Sequence, residues 1–97
     1  MTVKDLLTEA RAIWKSRRMS LDEIAIASGV IVGDIQRYTR NKNEHRRVEP
    51  EDLKKELGNI IFSSIRWCDD LGFDPEECIQ LAKKAQSAYQ DRPTEQS

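Results

Sequence analysis

The chain has 97 residues, 38% of them hydrophobic and 34% charged, and its formal net charge at pH 7 is −1. This length predicts one domain with a single modest core, near the size at which oligomerisation adds stability. Because the sequence contains neither an apolar run of about 18 residues nor a charged-then-apolar leader, we expect no membrane span, no signal peptide and a cytoplasmic location.

The small net charge hides an asymmetry between the two halves. Residues 1–47 hold ten Lys and Arg against six Asp and Glu, whereas residues 48–97 hold six against eleven. A basic half beside an acidic half suits a phosphate ligand near the junction, contacts between subunits, or solvated helix faces.

The first two predicted helices begin at capping signals. Thr2 and Asp5 have the spacing of a capping box and predict a helix from about residue 3 to 17. Ser20 and Glu23 repeat that spacing and predict a second helix of about 20 residues. Apolar residues recur at the helical period in both segments: Val3, Leu6, Leu7, Ala10, Ile13 and Trp14 in the first, and Leu21, Ile24, Ala27, Ile31, Ile35 and Tyr38 in the second.

A polar loop over residues 41–49 separates these helices from two more. Pro50 predicts the start of the third helix, because its missing N–H costs nothing in a first turn, and Gly72 predicts its end. Asp74 predicts the cap of the fourth helix. The polar residues 91–97 are predicted to form a disordered tail. The fold class is therefore all-α, an antiparallel bundle of about four helices in one domain over residues 1–90.

Two further features bear on packing. The third helix is almost wholly apolar over residues 60–62, which favours burial on two sides and hence a homodimer or higher homo-oligomer. Trp14 and Trp67 continue apolar stripes and are predicted to pack in a core or interface. Cys68 and Cys78 match no metal-binding spacing and are predicted to be reduced thiols.

Two segments carry a resemblance. Residues 30–35 (VIVGDI) and 55–62 (KELGNIIF), followed by 70–77 (DLGFDPEE), resemble the two metal-binding helices and the connector of MazG-type nucleoside triphosphate pyrophosphohydrolases. The resemblance implies an all-α MazG-like bundle, with E-x-x-E on one helix and E-x-x-D on the next. The four corresponding positions here are Ile31, Asp34, Glu56 and Asn59.

Those identities depart from the family's chemistry. Hydrolysis between the α and β phosphates needs Mg²⁺, a hard ion held by carboxylate oxygens. Ile31 cannot ligate a metal, Asp34 is one methylene shorter than Glu, and Asn59 offers a neutral carbonyl. The ligand charge falls from −4 to −2, which predicts weak or absent Mg²⁺ binding. The predicted ligand set is Asp34, Glu56 and Asn59, with Asp52 as a further candidate ligand.

Cations near the motif suggest how phosphate would be held. Arg37 and Arg40 open a basic cluster that continues with Lys42, Arg46 and Arg47, while Lys84 matches a lysine in the family's closing helix. The cluster suits the phosphates of a nucleotide or of a nucleic acid, or equally a mobile loop with solubilising charge.

The predicted function is a weak or inactive nucleotide-binding or regulatory protein, with Asp34 and Glu56 as the catalytic pair if hydrolysis occurs. Two alternatives stay open. Residues 21–40 resemble a helix-turn-helix, in which residues 28–30 form the turn and residues 31–39 enter the major groove of DNA. The third reading is a protein-interaction module without a ligand.

Overall fold

The computed structural model describes residues 1–15 and 17–90. Four α-helices account for most of them: α1 (Val3–Trp14), α2 (Leu21–Asn43), α3 (Pro50–Asp70) and α4 (Pro75–Gln90). The described residues contain no strand. The all-α prediction is confirmed, and the tail predicted over residues 91–97 lies outside the described residues.

The predicted helix starts are confirmed at the level of individual hydrogen bonds. Thr2 and Asp5 form a reciprocal capping box at the start of α1, and Ser20 and Glu23 form another at the start of α2. Each box satisfies backbone donors that the first helical turn leaves unpaired. Pro50 occupies the first turn of α3. At α4 the backbone N–H of Glu76 donates to Asp74 Oδ1 at 3.0 Å.

The helix ends follow the sequence less closely. α1 stops at Trp14, three residues before the predicted end, and Lys15 takes a φ of 56°. α2 instead continues to Asn43, beyond the predicted start of the loop, and is closed by the N–H of Glu44 donating to the carbonyl of Arg40 at 3.0 Å. Gly72 lies just beyond α3 with a φ of 83°, a conformation that glycine adopts without steric cost.

α3 is the central helix, against which each of the others packs. Arg11 of α1 contacts Asp69, and Trp14, one turn later, contacts Arg66, so α1 runs antiparallel to α3. The surface of α4 is open: every residue from 79 to 90 is exposed. The molecule is thus an α-helical bundle in which α4 adds little cover.

The interior of a single chain is small. Among the described residues the buried apolar core consists of Ala10, Ile24 and Ile65, and Pro75 of α4 and Arg66 of α3 are also buried. The predicted stripe of α1 is buried at Ala10 but leaves Ile13 60% exposed. Trp14 is 43% exposed and Trp67 half-buried, so neither indole belongs to a closed core.

Cys68 and Cys78 meet where α3 turns into α4, and both are free thiols, as predicted. Burial raises the pKa of the Cys68 thiol to about 11, with a further contribution from its hydrogen bond with Cys78. Cys68 is therefore a neutral thiol at neutral pH, which suits a packing role better than a nucleophilic one.

Candidate functional site

The four motif positions lie along the seam between α2 and α3. Asp34 and Glu56 border one cavity of about 420 Å³, whereas Ile31 and Asn59 border the next cavity along the seam, of about 450 Å³. Because α2 and α3 are antiparallel, Asp34 lies level with Glu56, and Ile31, one turn away, lies level with Asn59. The sequence-predicted set is therefore brought to one seam but divided between two cavities.

Asp34 is held by its own helix. Arg37, three residues later, donates from Nη2 to Asp34 Oδ1 at 2.5 Å, and the Asp34 side chain keeps 28% of its surface exposed. The charge of Arg37, which was predicted to bind phosphate, is thus neutralised by Asp34, the carboxylate that was predicted to bind metal. An arginine at i+3 on a helix surface is a common partner for aspartate.

Glu56 is engaged in the same way. The amide of Asn59 donates from Nδ2 to Glu56 Oε1 at 3.0 Å, again across the spacing i, i+3. Asn59 therefore turns its donor, rather than its carbonyl oxygen, toward the neighbouring acid. Asp52 borders the same cavity as Asp34 and Glu56.

The donor set does not fit a magnesium ion. Among residues 1–15 and 17–90, no three or more His, Cys, Asp or Glu side chains are grouped closely enough to hold a metal. Mg²⁺ needs near-octahedral oxygen geometry and releases its water reluctantly, so ligands already committed to an arginine and an amide bind it poorly. We therefore derive no reaction step through a metal at this seam.

The predicted phosphate-binding cations are dispersed. Arg37 borders the cavity of Asp34 and Glu56, whereas Arg40 borders a separate, shallow cavity on another side of α2. Lys84 is exposed on α4 and borders neither. A phosphate group could not contact these three cations together at one site.

The cavity is also lined by residues outside the predicted site set, among them Tyr38, Arg47 and Lys55. Tyr38 lies one turn after Asp34, a spacing from which its position could have been expected. Arg47 lies in the loop before α3, where helical spacing carries no information. Its guanidinium is already paired with Glu49 at 2.8 Å.

The local structure lacks the turn that the helix-turn-helix alternative expected. α2 runs without interruption from Leu21 to Asn43, so residues 28–30, which were expected to form the turn, are helical. Ten successive uncharged residues, 24–33, continue the helix through Gly29 and Gly33. Without a turn, residues 31–39 cannot be presented as a separate recognition helix.

No helix in the described part of the chain is both long and apolar enough to cross a membrane. Comparison of the chain with protein-family models, with curated proteins and with solved structures found no match. Function must therefore be inferred from the residues of the seam and the surfaces around it.

Proposed function

We propose that the chain is a MazG-like helical protein in which nucleotide pyrophosphohydrolysis is absent or feeble, and which acts as a nucleotide-binding or regulatory subunit. The engagement of the two surviving carboxylates supports this most directly. Asp34 is paired with Arg37 and Glu56 with Asn59, each within its own helix. A hydrolytic site of this type needs those oxygens for Mg²⁺.

The environment of the pair supports binding without hydrolysis. Arg37, Arg47 and Lys55 border the cavity together with Tyr38, which offers cations and an aromatic ring to a nucleotide. Four carboxylates border the same space, so a bare triphosphate meets repulsion as well as attraction. Three cations against four carboxylates leave the cavity without the net positive charge that stabilises phosphoryl transfer.

The test is a pyrophosphate-release assay on the purified chain with Mg²⁺ or Mn²⁺ and a panel of nucleoside triphosphates. We expect the wild-type chain and the matched variant Glu56→Gln to release pyrophosphate equally slowly. Turnover by the wild-type chain that Glu56→Gln abolishes would overturn the proposal.

A restoration experiment tests the MazG-like part separately. The triple variant Ile31→Glu, Asp34→Glu and Asn59→Asp supplies four carboxylates at the seam. We expect calorimetry to show Mg²⁺ binding to this variant and none to the wild-type chain. If the restored variant is folded and still indifferent to Mg²⁺, the resemblance to the family's metal site is wrong.

A second proposal concerns assembly: the open side of α3 forms a homodimer. Leu57 and Ile61, one turn apart, are 48% and 63% exposed, and neither borders the cavities described above. Burying such a pair against a second copy removes apolar surface from water, which is the main driving force for association.

The total surface favours the same conclusion. The accessible area is 7987 Å², whereas a compact monomer of 11.2 kDa exposes about 5,700 Å². Allowing the eight undescribed residues the full surface of an unfolded chain, about 1,300 Å², still leaves an excess of about 1,000 Å². A dimer of standard size buries about 800 Å² on each partner, so the excess is large enough to supply one.

Sedimentation equilibrium tests the dimer. We expect the wild-type chain and Leu81→Glu, a matched change at an exposed leucine of α4, to be dimeric. The double variant Leu57→Glu and Ile61→Glu should be monomeric, because charge is costly to bury without a partner. A monomeric wild-type chain, or loss of the dimer only in Leu81→Glu, contradicts the assignment of this face.

A further inference from the structure

A fourth cavity lies between α1 and the end of α3, away from Asp34 and Glu56. It has a volume of about 280 Å³ and is bordered by five cations and two carboxylates. The cations are Arg11, Lys15, Arg17, Arg18 and Arg66, and the carboxylates are Asp69 and Asp70.

Two of the cations are compensated within the chain. Arg11 binds Asp69 through two hydrogen bonds, from Nε at 3.0 Å and from Nη2 at 2.7 Å. These hydrogen bonds lower the pKa of the Asp69 carboxyl, and the charges of Arg11 and Arg18 lower it further. Arg66 Nε lies 3.3 Å from Asp70 Oδ2.

Three cations remain without an ion pair. In the described part of the chain, Lys15, Arg17 and Arg18 form no salt bridge within 4.0 Å. The charge of Arg17 does reach Glu23 in the neighbouring cavity, where it helps to lower that carboxyl's pKa after the larger effect of the Ser20 hydrogen bonds. The cavity therefore carries an excess of positive charge.

Arg66 is the unusual member of this set. It is only 8% exposed, and its Nε donates no hydrogen bond within the part of the chain that the structure describes. Its guanidinium lies 4.0 Å from the ring centroid of Trp14. Arg66 is thus paired with Asp70 by charge but not by a hydrogen bond at Nε, so its buried guanidinium is incompletely satisfied within the chain and is suited to a further anionic partner.

Trp14, Arg17 and Arg66 also border the 450 Å³ cavity, so the two cavities adjoin. The larger cavity is mainly apolar, with Trp67, Met19 and Ile31 in its walls. A cationic compartment that opens beside an aromatic and apolar one matches a ligand with an anionic head and a ring.

We propose that these adjoining cavities bind a small aromatic phosphate monoester, with the phosphate among Lys15, Arg18 and Arg66 and the ring between Trp14 and Trp67. Arginine forks match phosphate oxygens in pairs, and tryptophan faces stack on rings. The combined space is within the range of small-molecule sites. The site uses neither Asp34 nor Glu56 and goes beyond the proposed function.

Phenyl phosphate is the probe, and phenol and inorganic phosphate are its two halves. Calorimetry on the full chain should give a dissociation constant below about 1 mM for phenyl phosphate. Each half should bind at least about tenfold more weakly, because it loses either the charge-assisted hydrogen bonds or the ring contacts. Equal binding of phenyl phosphate and inorganic phosphate, or no saturation with phenyl phosphate, would overturn the proposal.

Variants then locate the site. Lys15→Gln with Arg18→Gln should weaken phenyl phosphate and inorganic phosphate by about tenfold or more. Trp14→Leu should weaken phenyl phosphate and leave inorganic phosphate unchanged. Arg40→Gln removes an exposed arginine at a different cavity and should change neither.

The outcome that defeats this assignment is an equal loss in Arg40→Gln and in the Lys15 and Arg18 double variant, since that indicates only general attraction of anions. Since Lys15 and Arg18 are exposed, these changes should leave the fold intact, and far-UV circular dichroism checks that they do. Pyrophosphate release is unaffected by this result, so failure here is distinguishable from failure of the proposed function.

Discussion

Arg66 and Asp70 should behave as one buried unit whose members cannot be removed singly. Their side chains are 10% and 6% exposed, and they lie four residues apart on α3 with Nε and Oδ2 3.3 Å from each other. Asp70 Oδ2 also accepts a hydrogen bond from the backbone N–H of Met19 at 3.2 Å. The carboxylate thus joins the end of α3 to the segment before α2.

Arg66→Met keeps much of the side-chain volume but leaves the Asp70 carboxylate buried with the Met19 N–H as its remaining partner. Removing one member of a buried ion pair costs about 3–5 kcal/mol, and loss of the Trp14 contact adds about 0.5–1 kcal/mol. Asp70→Leu leaves a buried guanidinium and should cost about 3 kcal/mol for the same reason.

The double variant Arg66→Met and Asp70→Leu removes both charges, so the burial penalty disappears with them. The chief remaining cost is the unpaired N–H of Met19, about 1–3 kcal/mol. We therefore expect the double variant to be more stable than either single variant. For a domain of this size, about 3 kcal/mol corresponds to a fall in Tm of at least about 12 °C.

Urea denaturation followed by far-UV circular dichroism gives the four free energies of unfolding, and it should be run at one protein concentration because association would otherwise shift them. A destabilisation of the double variant that equals or exceeds the sum of the two single changes would contradict this coupling. That result would mean that the two charges contribute independently.

Three further predictions follow from local features. Gly29→Ala and Gly33→Ala should each raise the free energy of unfolding by about 1 kcal/mol in urea, because both glycines are inside α2 and an added Cβ meets no atom within 4 Å; a loss of stability would show that this face is covered. Asp69→Asn removes the partner of Arg11 and should cost about 0.5–1 kcal/mol at neutral pH, since the pair is partly exposed. The pKa of Asp69 is lowered in the folded chain, so its contribution to the free energy of unfolding is complete above the unfolded pKa and is lost as pH falls. The difference in stability between the wild-type chain and Asp69→Asn should therefore vanish at the acid end of acid denaturation curves. The pKa of Cys68 is raised to about 11, so its contribution to the free energy of unfolding is complete below the unfolded pKa and is lost as pH rises toward 11. Cys68→Ala should therefore flatten the fall of the free energy of unfolding at alkaline pH. An unchanged slope would contradict this.

The parts of the fold that sequence could predict are those determined by near neighbours. Each capping box joins two residues that are three positions apart, Thr2 with Asp5 and Ser20 with Glu23. Both partners can therefore be recognised from the sequence alone. Pro50 acts through its own ring geometry. Helix ends are harder to predict: after Trp14 no apolar residue holds the next turn to the bundle, and α1 stops.

In the candidate site, too, the features set by near neighbours along the chain could be predicted and the others could not. Helical spacing predicted that Asp34 and Glu56 would face the seam, and they share a cavity. It could not predict that Asn59 would orient its donor toward Glu56, because that choice depends on which acceptors lie near in three dimensions. Arg66 was missed altogether, although a charged residue inside the apolar run of α3 with an aspartate four residues later was a usable signal.

The seam between α2 and α3 has a physical reason to be stable without a metal ion. Four carboxylates facing one gap repel one another and are relieved only by a bound cation, so a metal-binding seam is strained without its metal. Here Ile31 is apolar, Asn59 is neutral, and both remaining acids find a donor three residues along their own helix. Glu49 and Asp52 also border this cavity, but Arg37, Arg47 and Lys55 lie among the acids, so the seam needs no metal ion to hold α2 against α3. In the MazG-like seam proposed above, Ile31 and Asn59 stand where two carboxylates would repel their neighbours, so the restored variant should lose stability without Mg²⁺ and regain it with Mg²⁺.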